Sequence, residues 1–335
     1  YKMEPGDNGV ELMKKAEGLN PHLGCILVTA FGEIELPEIA PKWAQEPFSP
    51  IVPVMLGVEK TDVLAKDLRR MRDEFGFRRF ILVGPDSRRW FGRADLACFE
   101  RIGREIAAVK AALADTDVKI GWWCDPTFHA HESEPWQRIM DCDGNLTGSV
   151  CPLDEGHVAD FARKLCTGLR IGRPDPIFIE DDFTLSNHGG MNAMKGCFCP
   201  RHLKEFASRV GRSYTGREIA ALFDCPTPVN RPVREEFAKL SRDSLATLAG
   251  EVRKAIDSVD PTVRVCLCQS GCCDLDGDDT EAVARAFAGK TRPLVRVCGA
   301  AYMNENETAA LPRKLAHVAW SVQHLPADFE IIHET

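Results

Sequence analysis

The chain has 335 residues, a length that fits either two domains of ordinary size or a single (β/α)₈ barrel. With 44% apolar residues, 27% charged residues and a formal net charge of −8, the composition excludes disordered, collagen-like and coiled-coil proteins. The acidic balance argues against nucleic acid or an anionic membrane as the main partner. No apolar run reaches the roughly 18 residues of a membrane-spanning helix, and we expect a cytoplasmic location.

From residue 51 onward, short apolar runs alternate with longer amphipathic stretches, a pattern typical of βαβ units around a parallel sheet. The predicted strands are 51–58, 79–83, 118–124, 176–183, 263–268, 294–298 and 329–333. The predicted helices are 61–75, 96–113, 154–169, 200–211, 233–258, 280–288 and 311–324. In the first helix we expect Thr61 or Asp62 as the N-cap and Gly76 at the end.

These seven strands are one short of a closed barrel of this type. Either residues 24–30 supply the eighth strand or the natural chain continues beyond Thr335, and we favour continuation because residues 32–50 contain four prolines. We therefore predict an α/β fold, a (β/α)₈ TIM barrel over residues 51–335 that is incomplete at its last strand. Residues 1–50 form an N-terminal extension. No glycine-rich nucleotide motif follows an early strand, which disfavours an open nucleotide-binding sheet.

An apolar strand runs directly into three carboxylates, Glu180, Asp181 and Asp182. In a barrel, catalytic groups stand at the carboxyl ends of the strands, and three neighbouring acids can raise the pKa of one of them. A solvated strand end, a helix N-cap or a metal cluster is the alternative interpretation. Three strands later Glu334 occupies the equivalent place. A pair of carboxylates beside one cleft is the catalytic arrangement of a glycoside hydrolase.

Aromatic and histidine residues follow the same strand ends, where they could cover sugar faces or bind hydroxyls. The candidates for sugar contacts are Trp122, Trp123, His188, Tyr302 and His333. Any one of the tryptophans could equally be a core residue. The sequence thus predicts a carbohydrate site while leaving individual contacts open.

Cys197, Cys199 and His202 form a C-x-C-x-x-H pattern that leads into a predicted helix. Thiolate and imidazole ligands at this spacing suit zinc, and Cys151 is the best candidate for a fourth ligand. Four protein ligands would make the zinc structural. The competing candidates are Cys124, Cys142, Cys272 and Cys273, and a set of metal-free thiols is the alternative.

The chain resembles glycoside hydrolase family 42, the β-galactosidases with a (β/α)₈ catalytic barrel. The segments that carry the resemblance are Asp67–Met71, Asp141–Gly144, Ser149–Pro152 and Cys197–Phe206. In zinc-containing members the metal ligands match Cys151, Cys197 and Cys199, and His202 replaces the last cysteine. Glu334 matches the family's nucleophile.

The chain departs from the family at the acid/base. Where the family has Asn-Glu, this chain has Asp181 and Asp182. Aspartate is one methylene shorter than glutamate, so its carboxyl group lies about 1.5 Å farther back. This change puts galactose specificity in doubt.

The resemblance and the carboxylates together predict a retaining, β-galactosidase-like glycoside hydrolase of carbohydrate metabolism. The expected partner is a carbohydrate, with structural zinc, no organic cofactor, no nucleic acid and no membrane, and a homo-oligomer is left open. Asp182 is the expected acid/base and Glu334 the nucleophile, supported by Asp181 and Glu180. The alternatives are a catalytically impaired sugar-binding barrel and a metal-dependent hydrolase.

Overall fold

A parallel β-sheet with helices packed on its outer face forms the framework of the protein. The structure is a computed structural model and describes residues 50–57, 60–85, 94–128, 133–179, 183–185, 196–269, 280–297 and 325–333. They belong to one compact unit, Ser49–Thr335. The predicted N-terminal extension lies outside the described residues, so it stays a prediction.

All strands of the sheet run parallel, in the order β1-β2-β3-β6-β7-β8-β9. They are β1 (Ile51–Met55), β2 (Arg79–Val83), β3 (Lys119–Cys124), β6 (Ile177–Ile179), β7 (Val265–Gln269), β8 (Leu294–Val297) and β9 (Glu330–His333). An antiparallel hairpin, β4 (Arg138–Met140) and β5 (Leu146–Val150), is inserted after β3.

Helices connect the successive strands of the sheet from β1 to β8. They are α1 (Thr61–Phe75), α2 (Leu96–Ala112), α3 (Glu155–Gly172), α4 (Pro200–Val210), α5 (Gly216–Asp224), α6 (Arg231–Asp257) and α7 (Thr280–Ala288). None of the helices in the described ranges is long and apolar enough to cross a bilayer. Gly76 ends α1 with a left-handed φ of 75°, as predicted.

The predicted ends of these helices and strands lie within three residues of the observed ends, apart from the end of β6. Two features were not predicted, the hairpin β4–β5 and helix α5. The predicted strand 176–183 is shorter, because β6 ends at Ile179. The hairpin β4–β5 lies in what we expected to be an irregular connection, and helix α5 was not predicted. The residue that precedes α1 is Lys60, so the expected N-cap at Thr61 or Asp62 was wrong. The predicted helix 311–324 lies outside the described residues.

The two faces of the sheet bury different sets of side chains. Outer-face residues such as Phe80, Leu82 and Trp122 pack in the main core with the helices. The inner face buries a separate cluster, which consists of Ile81, Phe178, Cys266, Cys268 and Leu294 with Ile51, Val83, Trp123 and Ile332 packed against them. Because this inner-face cluster draws on all seven strands, the sheet curves around it.

An ion pair across the inner side confirms the curvature. Arg79 opens β2 and Glu330 opens β9, and their side chains approach to 3.8 Å although four strands separate β2 from β9 in the sheet order. In a flat sheet these two strands would lie about 24 Å apart. Glu330 is also bound by Arg264, at 2.7 Å.

The described part of the chain therefore forms a curved α/β sheet of barrel type with β1 and β9 at its edges. The α/β class of the fold is confirmed. Closure of the sheet into an eight-stranded barrel stays a prediction, since the described residues contribute seven strands to the sheet.

Candidate functional site

Two separate segments of the chain bring the predicted metal ligands together. Cys151 directly follows β5 of the hairpin, Cys197 and Cys199 lie just before α4, and His202 is in the first turn of α4. The backbone N–H of Phe198 donates to Met140 in β4, at 2.8 Å, which ties the α4 segment to the hairpin. Pro200 at the start of α4 suits the first turn of a helix, where its missing N–H costs nothing.

The ligand atoms of Cys151, Cys197, Cys199 and His202 all lie within 4.8 Å of one another. Nδ1 of His202 is 3.2 Å from Sγ of Cys151 and 3.6 Å from Sγ of Cys199, and the two sulfurs are 3.6 Å apart. All four side chains are fully buried. We refer to these four residues as the Cys3His cluster.

The pKa values of residues in the Cys3His cluster are shifted in different directions. Burial raises the pKa of the Cys151 thiol, and the neighbouring sulfurs of Cys197 and Cys199 raise it further. Hydrogen bonds with Cys151 and Cys197 lower the pKa of Cys199 against the effect of burial. Burial acts to lower the pKa of His202, but the charge of Cys197 and hydrogen bonds to Cys197 and Cys199 outweigh it and raise that pKa to about 9.

The geometry of the Cys3His cluster fits a tetrahedral metal ion. With Zn–S bonds of about 2.3 Å and Zn–N bonds of about 2.0 Å, tetrahedral ligand atoms lie about 3.5–3.8 Å apart. The distances of 3.2 and 3.6 Å among the ligand atoms of Cys151, Cys199 and His202 are close to these values, and all four ligand atoms lie within 4.8 Å of one another. Four protein ligands leave no place for a substrate, so the cluster can hold a metal ion in a structural role. Of the competing candidates, Cys124 and Cys142 lie outside the cluster, and Cys272 and Cys273 lie outside the described residues.

The predicted catalytic carboxylates are not among the described residues. These positions are Glu180, Asp181, Asp182 and Glu334, and the predicted sugar contacts His188 and Tyr302 are also outside the described residues. The backbone of His333 belongs to β9. Their predicted roles therefore stay predictions.

The two predicted tryptophans lie on opposite faces of β3. Trp122 is fully buried between the sheet and the helices, where its ring meets the edge of Phe99 in α2 at 6.0 Å. Its indole N–H donates to the carbonyl of Gly84. Trp122 is thus a packing residue, and the predicted sugar contact for it was wrong because its side chain points away from the inner face.

Trp123 lies on the inner face, in contact with other strands. Its ring is 5.7 Å from the ring of Phe178 in β6, and the guanidinium of Arg296 in β8 is 5.1 Å from the centre of the Trp123 ring. The indole N–H of Trp123 has no hydrogen-bond partner among the described residues. Trp123 thus carries a buried indole N–H without a partner among the described residues, on the face of the sheet that also carries Arg296.

Two charged residues near these strand ends were missed by the sequence analysis. Arg296 is only 3% exposed within the short apolar strand β8, and Asp125 is 7% exposed immediately after β3. Both residues lie at or next to the carboxyl end of a strand, where folds of this type carry their functional groups, so both are candidates for a function. A charge inside a four-residue apolar strand, and an acid directly after a strand, were the signals that could have found them.

No protein-family model matches the sequence, and no curated protein matches it. The structure is similar to the β-galactosidase from the psychrophilic Marinomonas ef1, with a TM-score of 0.53 and 10% identity, covering 78% of this chain and 43% of that one. It is less similar to the α-galactosidase from Lactobacillus brevis, with a TM-score of 0.39 and 13% identity, covering 84% and 41%.

The α-L-fucosidase isoenzyme 2 from Paenibacillus thiaminolyticus matches with a TM-score of 0.36 and 14% identity, covering 66% of this chain and 32% of that one. The chain thus spans less than half the length of these solved structures. Of these three structures only the β-galactosidase has a TM-score above 0.5, and that match concerns the fold alone. The chain therefore shares part of the fold of that β-galactosidase.

Proposed function

We propose that this chain carries the catalytic barrel of a retaining glycoside hydrolase that cleaves a β-linked sugar. Asp182 is the general acid/base and Glu334 the nucleophile, while Glu180 and Asp181 adjust the pKa of these groups or bind substrate hydroxyls. The likeness to a β-galactosidase fold supports this assignment. Catalytic groups of such folds stand at the carboxyl ends of the strands, which is where these residues occur in the sequence.

The observation that carries the proposal is the alternation of side chains along β6 and β9. Phe178 of β6 and Ile332 of β9 both pack in the inner-face cluster. Because side chains alternate with a period of two, positions 182 and 334 share the parity of these two residues. Continued as extended chain beyond Ile179 and His333, the two strands would carry Asp182 and Glu334 to the inner side of the sheet, where two carboxylates can flank one glycosidic bond.

Described side chains on the same inner face support a sugar site. The ring of Trp123 offers a flat apolar surface of the kind that covers a pyranose. Arg296 pairs in register with Ile332, two residues before Glu334, and its positive charge there favours an ionised nucleophile. In this proposal His188, Tyr302 and His333 contribute further contacts to sugar hydroxyls.

Hydrolysis of nitrophenyl β- and α-glycosides by the full-length protein tests the proposal. We expect turnover of a β-glycoside, with kcat reduced by about 10²- to 10⁴-fold in Asp182→Asn and in Glu334→Gln. Asp328→Asn is the matched control, because Asp328 precedes β9 at the opposite end of the strand and is exposed. Unchanged activity in Glu334→Gln would refute the role of that residue.

Azide supplies a second, more specific readout. A retaining enzyme needs its two carboxyl groups about 5–5.5 Å apart, and removing the nucleophile opens space for a small anion. We expect azide to restore turnover in Glu334→Ala and to give the glycosyl azide of inverted configuration.

Two other outcomes would favour the alternative functions. Sugar binding without turnover in the unaltered protein would favour the impaired sugar-binding barrel. Loss of activity on mild chelation with an intact fold would favour the metal-dependent hydrolase.

We further propose that the Cys3His cluster holds a structural zinc ion. Its four buried N and S ligand atoms support zinc over harder cations, which prefer oxygen ligands. Elemental analysis of protein purified without chelators should find close to one zinc ion per chain, and strongly substoichiometric zinc would contradict the proposal. In this proposal the protein works in a reducing compartment such as the cytoplasm, where thiol ligands stay unoxidised.

A further inference from the structure

The two ring nitrogens of His202 face different surroundings. Nδ1 points at the sulfurs of the Cys3His cluster, 3.2 Å from Sγ of Cys151. Nε2, on the other side of the ring, is 3.2 Å from Oγ of Ser244 in the middle of α6. Both side chains are buried, with His202 fully enclosed and Ser244 only 1% exposed.

The hydroxyl of Ser244 has one hydrogen, and the structure shows where it goes. Ser244 donates it to the backbone carbonyl of Ser241, one turn earlier in α6, at 2.8 Å. A serine hydroxyl that is already donating can only accept from another neighbour. The hydrogen between Ser244 and His202 must therefore belong to Nε2 of His202.

This arrangement of hydrogen bonds determines which ring nitrogen of His202 can bind a metal ion. A neutral imidazole with hydrogen on Nε2 carries its lone pair on Nδ1, the atom that faces the three sulfurs. When a metal ion takes the place of any proton on Nδ1, the ring is thus left in the one neutral tautomer that can bind the ion together with Cys151, Cys197 and Cys199. Outer hydrogen bonds of this kind orient histidine ligands and are a major part of metal affinity.

We propose that Ser244 is a positioning residue for the metal site: it keeps the hydrogen of His202 on Nε2, presents Nδ1 to the metal and couples helix α6 to the Cys3His cluster. The inference rests on the zinc proposal above and not on the hydrolase proposal. It adds a residue more than forty positions away from the ligand pattern, on a helix that supplies no ligand.

Zinc affinity of single variants tests the inference, measured by competition with a chromogenic chelator. We expect Ser244→Ala to bind zinc about 10- to 100-fold more weakly than the unaltered protein. Ser241→Ala is the matched control, because Ser241 is equally buried one turn earlier, its hydroxyl donates to Phe237, and the substitution keeps the carbonyl that Ser244 uses. Its zinc affinity should stay within about twofold.

Nitrogen-15 NMR of His202 in the zinc-loaded protein separates positioning from a general packing effect. We expect metal-bound Nδ1 and a protonated Nε2 whose hydrogen exchanges slowly with water. In Ser244→Ala that hydrogen should exchange faster, with the circular dichroism spectrum unchanged.

Three results would overturn the inference. Equal zinc affinity in Ser244→Ala and the unaltered protein would remove the role of Ser244 while leaving the zinc proposal intact. A spectrum with zinc on Nε2 and hydrogen on Nδ1 would contradict the assigned tautomer. Failure of the unaltered protein to bind zinc would contradict both the inference and the zinc proposal, with glycosidase activity still to be judged by its own assay.

Discussion

Gly168 in α3 lies directly against the indole of Trp122. A Cβ atom added at this position would be 2.7 Å from Cη2 of Trp122, which is closer than real contacts allow. Neither group can move easily, because Trp122 is fully buried and held by a hydrogen bond to Gly84. The close approach of α3 to the sheet therefore depends on the missing side chain.

We predict that Gly168→Ala lowers the free energy of unfolding by about 1–3 kcal/mol, the usual cost of overpacking a core. Urea denaturation monitored by circular dichroism measures this change. Gly250→Ala is the control, because Gly250 lies inside helix α6 with no atom within 4 Å of the added Cβ. There the higher helix propensity of alanine should leave the protein equally stable or more stable by up to about 1 kcal/mol. A Gly168→Ala protein as stable as the control would contradict the packing argument.

Single residues also show why part of the site could be predicted and part could not. Cysteine and histidine spacing predicted the Cys3His cluster, because few other roles require those residue types together. Trp122 and Trp123 are identical in type and adjacent in sequence. Only the alternation of side chains along β3 decides which of the two indoles faces the helices. Ser244 carries no signal at all in the sequence, since its role depends on which helix packs behind His202.

Among the secondary-structure elements, α1 and β3 are linked by a charged bridge. Asp117, just before β3, accepts hydrogen bonds from Arg72 of α1 at 2.8 Å and from Arg78 before β2 at 2.6 Å. Hydrogen bonds from these two guanidinium groups lower the pKa of Asp117 from 3.8 to about 2. Because the folded-state pKa is lowered, the bridge stabilises the fold above about pH 4 and loses this effect as the pH falls towards 2.

We predict that Asp117→Asn lowers the melting temperature at pH 7 by no more than about 2 °C, since exposed ion pairs contribute little. The difference from the unaltered protein should shrink between pH 4 and pH 2, where Asp117 becomes protonated. Calorimetry across this range measures it. Asp67→Asn removes an exposed carboxylate of helix α1 that takes no part in the bridge. This control should not reproduce the pH profile. A difference that stays constant down to pH 2 would contradict the assignment.

Sequence patterns located the long elements well and the short ones poorly. Helix α1, with 15 residues, begins and ends at the predicted residues because its apolar spacing extends over about four turns. The hairpin escaped prediction because β4 has only three residues and Leu146 of β5 is 62% exposed, so neither strand shows clear alternation. Helix α5 is also short, but its capping box of Thr215 and Glu218 is visible in the sequence and could have revealed it.

At the scale of the whole molecule, Glu330 joins strands that are far apart in the sheet order. Its carboxylate is 2.7 Å from Arg264, 3.8 Å from Arg79 and 4.0 Å from Arg292. Three guanidinium groups thus share one carboxylate at the amino-terminal end of the curved sheet. Without that carboxylate, the three positive charges would repel one another at this end of the sheet.

We predict that Glu330→Gln destabilises the protein by about 1–2 kcal/mol at low ionic strength, because it removes a half-buried charge that several partners share. Added salt should reduce the loss by screening the remaining charges. Denaturation at two ionic strengths measures both effects. Glu251→Gln, which removes an exposed pair with Lys254 on α6, should have no measurable effect. A loss that is the same at both ionic strengths would mean that packing, not charge, explains the role of Glu330.

The Cys3His cluster also has a topological consequence. Cys151 and Cys199 are 48 residues apart in the chain, and both α3 and β6 lie between them. A bound ion would close this stretch into a loop, in the way that a disulfide does, and would reduce the freedom of the unfolded chain. The stretch that contains helix α3 and the central strand β6 would then be anchored at both of its ends, so the metal would restrain the middle of the sheet without touching it.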